Sequence, residues 1–271
     1  ERAPLPQDVA RAALPSDIAA RAPRRYERIG DVLVLRLPPD VPGRHAIAEA
    51  YAHALGAKTV LHDRGVRGAW REPDMEVLFG GDTETGHIED GIRFRLDLAK
   101  VMFSSGNVDE RIRMGRAVGP GETVVDLFAG IGYFALPMAV HGRPAKVIAC
   151  EVNPTAFRYL EENVRLNRAW AVETRFGDCR EVAPRACADR IVMGYLDGEV
   201  FLDVAMGAAK DGCILHYHES TPIEEVPDGP WSRVESAARA AGFHADRLAV
   251  RRIKSYAPRI AHVVVDARLT R

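Results

Sequence analysis

The spacing of apolar positions divides the chain near residue 100. Before that point, short β-branched and aromatic runs alternate with turns, and residues 92–98 follow the two-residue period of a half-buried strand. Residues 45–55 have the period of a helix, and Gly56 after them is typical of a helix C-terminus. We therefore predict a small α+β module over residues 1–100, with one strand over residues 29–37.

After residue 100 the pattern changes to strands that alternate with helices. Strands are predicted over residues 123–127, 146–150, 173–176, 188–193 and 212–218. This alternation is typical of a doubly wound, parallel α/β sheet, and it predicts a Rossmann-like domain over residues 101–271. A final pair of strands, over residues 246–254 and 260–269, is predicted to run antiparallel at the sheet edge.

The composition is that of a globular protein, with 47% hydrophobic and 28% charged residues, which excludes a disordered or collagen-like chain. The 37 Lys and Arg residues nearly balance the 38 Asp and Glu residues, so total charge neither indicates nor excludes a nucleic-acid partner. The four cysteines form no CxxC pair, which favours reduced thiols in a cytoplasmic protein. No run of about 18 apolar residues is present, and we expect neither a membrane span nor a signal peptide.

The clearest chemical signal is an acidic residue after three successive strands. Asp126 ends the first strand before a glycine turn that contains Gly130, Glu151 ends the second, and Asp178 follows the third. An acid at the first strand end repels a pyrophosphate but suits a cationic ligand, and no phosphate-binding glycine motif is present. The three acids match the amino acid, ribose and adenine of S-adenosylmethionine. They predict a class I methyltransferase-like site, although each acid alone could be an ordinary turn or helix-cap residue.

The fourth strand ends in Met193-Gly194-Tyr195 and lacks the Asn/Asp-Pro-Pro-aromatic sequence that would hold an exocyclic amine. Methylation of an adenine amino group is therefore not expected. Tyr195 could stack on a base, or it could be an aromatic residue at the rim. His216 and His218 should share one face of the fifth strand, but no third ligand is evident, so no metal is expected.

Several of these segments resemble one known family. The sequences DLFAGIG at 126–132, MGY at 193–195 and CILHYHE at 213–219 are similar to those of the archaeal and eukaryotic enzymes of wybutosine synthesis. Residues 102–111 and 254–258 share the resemblance. The sister family is the tRNA guanine-N1 methyltransferases, which carry an Asn-Leu-Pro-like sequence in place of MGY. This difference favours the wybutosine branch.

The resemblance implies transfer of the 3-amino-3-carboxypropyl group of S-adenosylmethionine to a ring carbon of a tricyclic, 4-demethylwyosine-type guanosine. The substrate base would lie next to the anticodon of tRNA-Phe, and methylthioadenosine would be released. The alternatives are guanine-N1 methylation of tRNA and a non-catalytic tRNA-binding protein. By resemblance, the donor-contacting positions are Ser104, Arg111, Glu151, Asp178 and Cys179.

Arg111, Asn107 and Tyr195 are the candidates for catalytic roles, and no general base is assigned. Arg111 could clamp the α-carboxylate of the donor with its fork of N–H groups, or it could lie on a solvated or phosphate-contacting helix face. We expect catalysis mainly by positioning of the donor.

Two groups of cationic residues are candidates for contact with tRNA. In the N-terminal module these are Arg24, Arg25, Arg64, Arg67 and Arg71, with Trp70 as a stacking residue; each could also be an ordinary surface residue. Near the C-terminus, residues 246–271 hold seven Lys and Arg against two Asp. The balanced total charge is therefore a sum of regions with opposite charge.

Overall fold

The computed structural model describes residues 5–38, 40–68 and 71–271. The chain divides into two compact units, residues 1–105 and 106–271. No helix of the described residues is both long enough and apolar enough to cross a membrane.

In its described residues, the first unit combines a four-stranded sheet with three helices and a separate strand pair. Its helices are α1 (Pro6–Ala12), α2 (Ser16–Ala19) and α3 (Arg44–Leu55). Its strands are β1 (Glu27–Ile29), β2 (Val32–Leu35), β3 (Thr59–Arg67), β4 (Glu72–Phe79), β5 (Glu84–Glu89) and β6 (Ile92–Asp97). The larger sheet has the order β1-β2-β3-β4, and β5 pairs with β6. Helix α3 ends at Gly56 in the left-handed conformation, as predicted.

The prediction of one strand over residues 29–37 is wrong, because the chain turns at Gly30 and Asp31 to form the antiparallel pair β1–β2. Gly30 has a φ of +59°, and a Cβ atom there would lie 2.2 Å from the carbonyl oxygen of Gly86. Only glycine fits this turn. Apolar residues on both sides of the turn hide it in the sequence pattern.

The second unit is a seven-stranded sheet with helices on its faces. Its helices are α4 (Val108–Ala117), α5 (Ala135–Pro137), α6 (Pro154–Leu166), α7 (Cys179–Val182), α8 (Leu202–Ala208) and α9 (Asp228–Ala240). Its strands are β7 (Thr123–Asp126), β8 (Lys146–Glu151), β9 (Val172–Phe176), β10 (Ala188–Met193), β11 (Ala209–Pro222), β12 (His244–Ala257) and β13 (Ile260–Thr270). The order is β12-β13-β11-β10-β7-β8-β9. The parallel pairing of β7 to β11 confirms the predicted doubly wound α/β architecture.

The C-terminal pair β12–β13 is antiparallel and lies at the sheet edge, as predicted, but its strands are longer than the sequence pattern indicates. Strand β11 also continues to Pro222, whereas the prediction ended it at His218. Its polar last residues remain extended because β13 pairs with them up to Ile260. Three long strands therefore stand beside four short ones.

The sequence pattern after the first glycine turn also predicts a helix over residues 133–141, and the structure differs there. A short α5 is followed by a wider π-helical turn over Met138–Gly142. Pro137 lacks a backbone N–H, so a regular α-helical hydrogen-bond ladder cannot pass through it. The wider turn follows immediately after this proline.

Candidate active site

The parallel strands bring the predicted acids to one edge of the sheet. Three backbone hydrogen bonds join the chain segments there: Leu127 N to Val192 O (3.0 Å), Ala129 N to Cys150 O (2.9 Å) and Gly177 N to Glu151 O (3.0 Å). The carboxyl ends of β7, β8, β9 and β10 thus meet, as expected for a ligand site of an open α/β sheet. Asp126, Glu151, Asp178 and Tyr195 all lie at this edge.

Asp126 is completely buried at the end of β7. Its Oδ1 atom accepts a hydrogen bond from Phe128 N (3.2 Å), whereas Oδ2 is buried and makes no hydrogen bond among the described residues. Burial, with the nearby charge of Glu151, raises the pKa of Asp126 to about 7. An unpaired, buried carboxylate oxygen is costly, and a cationic ligand would stabilise its ionised form. The residue fits the cationic part of S-adenosylmethionine.

Glu151 is fixed by backbone N–H groups at the end of β8. Its Oε2 accepts from Gly130 N and its Oε1 accepts from Asn153 N, both at 2.7 Å. Burial raises the pKa of this carboxyl group. Each carboxylate oxygen keeps a further lone pair, so the oriented group can accept from two ribose hydroxyls. The alternative that Glu151 caps the next helix is wrong, because Asn153 Oδ1 accepts from Thr155 N and caps α6.

Asp178 is the N-cap of α7 and accepts a hydrogen bond from Arg180 N (2.9 Å). The Arg180 side chain also pairs with the carboxylate and lowers the pKa of Asp178. The ordinary cap role and the predicted adenine contact are therefore compatible. Cys179 next to it is buried, and burial raises the pKa of its thiol to about 12. The protonated thiol is unsuited to act as a nucleophile.

Aromatic side chains that the sequence analysis did not single out surround Tyr195. The Tyr195 and Phe128 rings are 5.3 Å apart and tilted by 33° to each other, and Phe201 meets Phe128 edge-on at 5.1 Å. Phe176 and Val152, at the ends of β9 and β8, are large apolar residues that are exposed. The only sequence signal for these residues was their position directly after strands or glycine turns. Together they give the edge flat apolar surfaces suited to planar rings.

Arg111 lies in α4 and is only 3% exposed. Its predicted alternative, a solvated helix face, is therefore wrong. Asn107 precedes α4, and its Oδ1 atom is buried without a hydrogen bond among the described residues. Ser104 is partly buried and belongs to the first unit. Arg111 and Asn107 therefore both carry buried polar groups, and both lie in one segment of the second unit.

His216 and His218 share one sheet face, as predicted, and bind other side chains. His216 Nδ1 lies 2.6 Å from Asp266 Oδ1, and its Nε2 lies 2.7 Å from Arg190 Nη1. Burial lowers the pKa of His216 well below its usual value, so the ring is neutral. Arg113 of α4 joins Asp266 at 3.0 Å. No group of three metal-ligating side chains occurs in the described part of the chain, and the network connects α4 to the sheet.

The cationic residues predicted to contact tRNA from the first unit differ in their surroundings. Arg64 binds Asp74 at 2.8 Å, and Arg67 pairs with the same carboxylate. Arg24 and Arg25 are exposed. Trp70 lies outside the described residues.

Two family models match the chain. Residues 7–83 match the TYW2 N-terminal domain, and residues 85–245 match the TRM5/TYW2 methyltransferase domain. The second model covers more than half of the chain. The chain belongs to the TRM5/TYW2 family.

Relatives occur in both branches of this family. The tRNA(Phe) (4-demethylwyosine(37)-C(7)) aminocarboxypropyltransferase of Pyrococcus horikoshii is 45% identical over 94% of this chain and 93% of its own length. The tRNA (guanine(37)-N(1))-methyltransferase Trm5b of Pyrococcus abyssi is 31% identical over 95% of this chain and 78% of its own length. The higher identity lies with the aminocarboxypropyltransferase branch.

Solved structures agree with this family assignment. P. horikoshii TYW2 in complex with MeSAdo matches with a TM-score of 0.88 and 41% identity, over 98% of both chains. A complex of aTrm5 and tRNALeu matches with a TM-score of 0.85 and 26% identity, over 100% of this chain and 79% of the other. The comparisons confirm the predicted family, the fold class, the donor and the enzyme class, an aminocarboxypropyltransferase.

Proposed function

We propose that this chain transfers the 3-amino-3-carboxypropyl group of S-adenosylmethionine to carbon 7 of 4-demethylwyosine, next to the anticodon of tRNA-Phe. The main support for this proposal is the 45% identity of the chain, over nearly its whole length, to the P. horikoshii aminocarboxypropyltransferase. The acids at the strand ends support it, because Asp126 keeps a buried, unpaired oxygen for a cationic donor. The enzyme acts in the cytoplasm, a reducing compartment in which its four free cysteines remain thiols.

The residues of the second unit divide the donor between them. Glu151 holds the ribose and Asp178 the adenine amino group, with the backbone of Gly130 and Cys179 beside them. Asp126 receives the positively charged part of the amino-acid half. These contacts fix the adenosine part, which is common to methyl transfer and aminocarboxypropyl transfer.

The choice of transferred group depends on how the amino-acid tail is held. The sulfonium of the bound donor activates three carbons toward attack, and the carbon that faces the base at about 3–3.5 Å is transferred. Arg111 clamps the α-carboxylate, Asn107 adds a hydrogen bond, and Tyr195 stacks on the base. The bond from carbon 7 to Cγ forms as the bond from Cγ to sulfur breaks. The electron pair stays on sulfur in methylthioadenosine, and carbon 7 loses its proton to solvent.

The first unit contributes to tRNA binding. Arg24 and Arg25 suit phosphate contacts best because they are exposed, whereas Asp74 already neutralises part of the charge of Arg64 and Arg67. Alanine at both Arg24 and Arg25 should weaken tRNA binding in a filter-binding assay and leave donor binding unchanged. An unchanged tRNA affinity would contradict this role.

Product analysis with two labels on the donor tests the proposed reaction. The protein is incubated with tRNA-Phe that carries 4-demethylwyosine, and with donor labelled either in the carboxyl carbon or in the methyl carbon. We expect only the carboxyl label to enter the tRNA, with one methylthioadenosine released per label. Entry of the methyl label into tRNA-Phe that carries an unmodified guanosine at the same position, with release of S-adenosylhomocysteine, would instead support guanine-N1 methylation. Asp126→Asn serves as the control for donor binding at this site, and it should reduce both products of the expected reaction.

A further inference from the structure

The antiparallel strands of the second unit extend beyond the parallel strands at the edge that carries the acids. Met193, the last residue of β10, pairs with Tyr217, but β11 runs on to Pro222, which pairs with Ile260. Five more residues of extended chain correspond to about 17 Å. Ile260 also pairs with Ala257 of β12, so the end of the β12–β13 hairpin projects at the carboxyl edge of the sheet.

This hairpin end is strongly basic. Residues 251–260 contain four cationic residues and no acidic one. Arg251 is also exposed, at 43%, and pairs with the buried Asp266. Arg252 is exposed and donates to Ser255 Oγ at 2.8 Å.

Arg259 and Tyr256 complete the exposed surface of the hairpin end. Arg259 is 83% exposed, and its ion pair with Glu224, at 3.5 Å, is exposed as well. Such a pair contributes little to stability, so it leaves the guanidinium available for a stronger anionic partner. Tyr256 is 44% exposed and presents an aromatic ring on the same short segment.

We infer that the basic hairpin end, residues 252–259, binds the tRNA backbone beside the base that is modified. Arg252 and Arg259 contact phosphates, and Tyr256 stacks on an unpaired nucleotide. Surfaces that bind single-stranded nucleic acid combine cationic side chains, which contact phosphates, with aromatic side chains, which stack on bases. This inference rests on the proposed function, because it names the surface that holds the polyanionic substrate at the site.

Cationic residues also protect edge strands from pairing with other chains, but that role has a different distribution. Protection is needed along the whole edge strand. In β12, however, Arg247 in the other half is accompanied by Asp246 and pairs with Asp228 at 3.2 Å. Within β12, the excess of positive charge therefore lies at the end beside the acids, where a substrate reaches the donor.

A pair of double variants tests the inference. Arg252→Ala/Arg259→Ala removes two exposed cations at the hairpin end and keeps Arg251, which pairs with Asp266. Arg247→Ala/Arg268→Ala is the matched control, because it removes two exposed arginines nearer the opposite end of the same hairpin. Along the strands, Arg247 lies about 17 Å from Arg252, and Arg268 lies about 30 Å from Arg259. Each protein is titrated with tRNA-Phe between low and moderate salt, and with S-adenosylmethionine in parallel.

We expect the hairpin variant to bind tRNA about tenfold more weakly at low salt, with its log–log salt slope flattened by about 1.5 for two lost phosphate contacts. Its donor affinity should equal that of the wild type, which also shows that it folds. The control should keep the wild-type tRNA affinity. Equal tRNA affinities and slopes for wild type and hairpin variant would overturn the inference, and so would an equal loss in both variants.

The same series separates this inference from the proposed reaction. A wild type that binds tRNA through the hairpin end but releases no methylthioadenosine would refute the proposed reaction and keep the binding surface. A wild type that modifies tRNA with the same KM for tRNA as the hairpin variant would refute the binding surface and keep the reaction.

Discussion

The two halves of the seven-stranded sheet carry side chains of opposite charge, and these side chains also differ in their exposure to solvent. The parallel half, β7 to β10, presents acids that are held by backbone N–H groups, namely the buried Asp126 and the half-buried Glu151. The antiparallel half, β11 to β13, presents exposed bases such as Arg252 and Arg259 on a projecting hairpin. Rigid, buried acids suit a small cationic donor, and exposed bases suit a large polyanion. A total charge of −1 is therefore compatible with two strongly charged sites.

The difference follows from the pairing of the strands. Parallel strands need helical connections that cover both faces, so their ends meet glycine turns and helix N-termini with many backbone donors. An antiparallel hairpin at the edge needs no such cover and can extend beyond its neighbours. One sheet thus supplies oriented acids for the donor and an exposed arm for the substrate.

Among variants of the parallel half, Asp126→Asn should have the largest effect on donor affinity. The isosteric amide removes the buried charge, so we expect S-adenosylmethionine affinity to fall about 100-fold and methylthioadenosine affinity to change little. Wild-type donor affinity should also weaken as the pH falls below about 7, because the carboxyl group becomes protonated, whereas the variant should lose this dependence. Calorimetric titration with both ligands from pH 6 to 8 measures this. An equal loss for both ligands would contradict the role of Asp126.

Arg111→Ala should have the second largest effect on donor affinity. If Arg111 clamps the α-carboxylate, donor affinity should fall about 30-fold, as for a lost charge-assisted bidentate contact, while methylthioadenosine affinity is retained. Arg111→Lys keeps the charge without the planar fork and should show an intermediate loss. The same calorimetric series measures both variants. Parallel losses for both ligands would show that the buried Arg111 acts only through the structure of α4.

Glu151→Gln should have a smaller effect and a different signature. The amide cannot accept at both positions from Gly130 N and Asn153 N, and it loses one acceptor for the ribose. We expect affinity to fall about tenfold for S-adenosylmethionine and for methylthioadenosine alike, because both contain the ribose. A loss confined to S-adenosylmethionine would place Glu151 at the amino-acid tail instead.

The smallest effect concerns the stability of the ligand-free protein. The raised pKa of Asp126 means that the folded state holds a proton that the unfolded state releases, so stability falls as the pH rises from about 4 through about 7. Asp126→Asn removes this penalty and should raise the melting temperature by a few degrees at pH 8 and hardly at pH 4. Calorimetric scans at the two pH values measure it. A lower melting temperature at pH 8 would contradict the burial of an unpaired charge.

Local signals made the parallel half predictable from the sequence. Each acid directly follows an apolar strand, and both the fold and the position of Asp126 and Glu151 follow from that order alone. The antiparallel half was less predictable because its strand lengths depend on partners far apart in the chain, as where Pro222 pairs with Ile260. The network of His216 and Asp266 joins residues 50 apart, and no sequence spacing reveals it.

A crossed titration of two variants with two ligands tests the division of charge most directly. Asp126→Asn and Arg252→Ala/Arg259→Ala are each titrated with S-adenosylmethionine and with tRNA-Phe under the same conditions. We predict that the first variant loses donor affinity and keeps tRNA affinity, and that the second does the reverse. A variant that loses affinity for both ligands to the same extent would contradict the separation of the buried acidic site from the exposed basic arm.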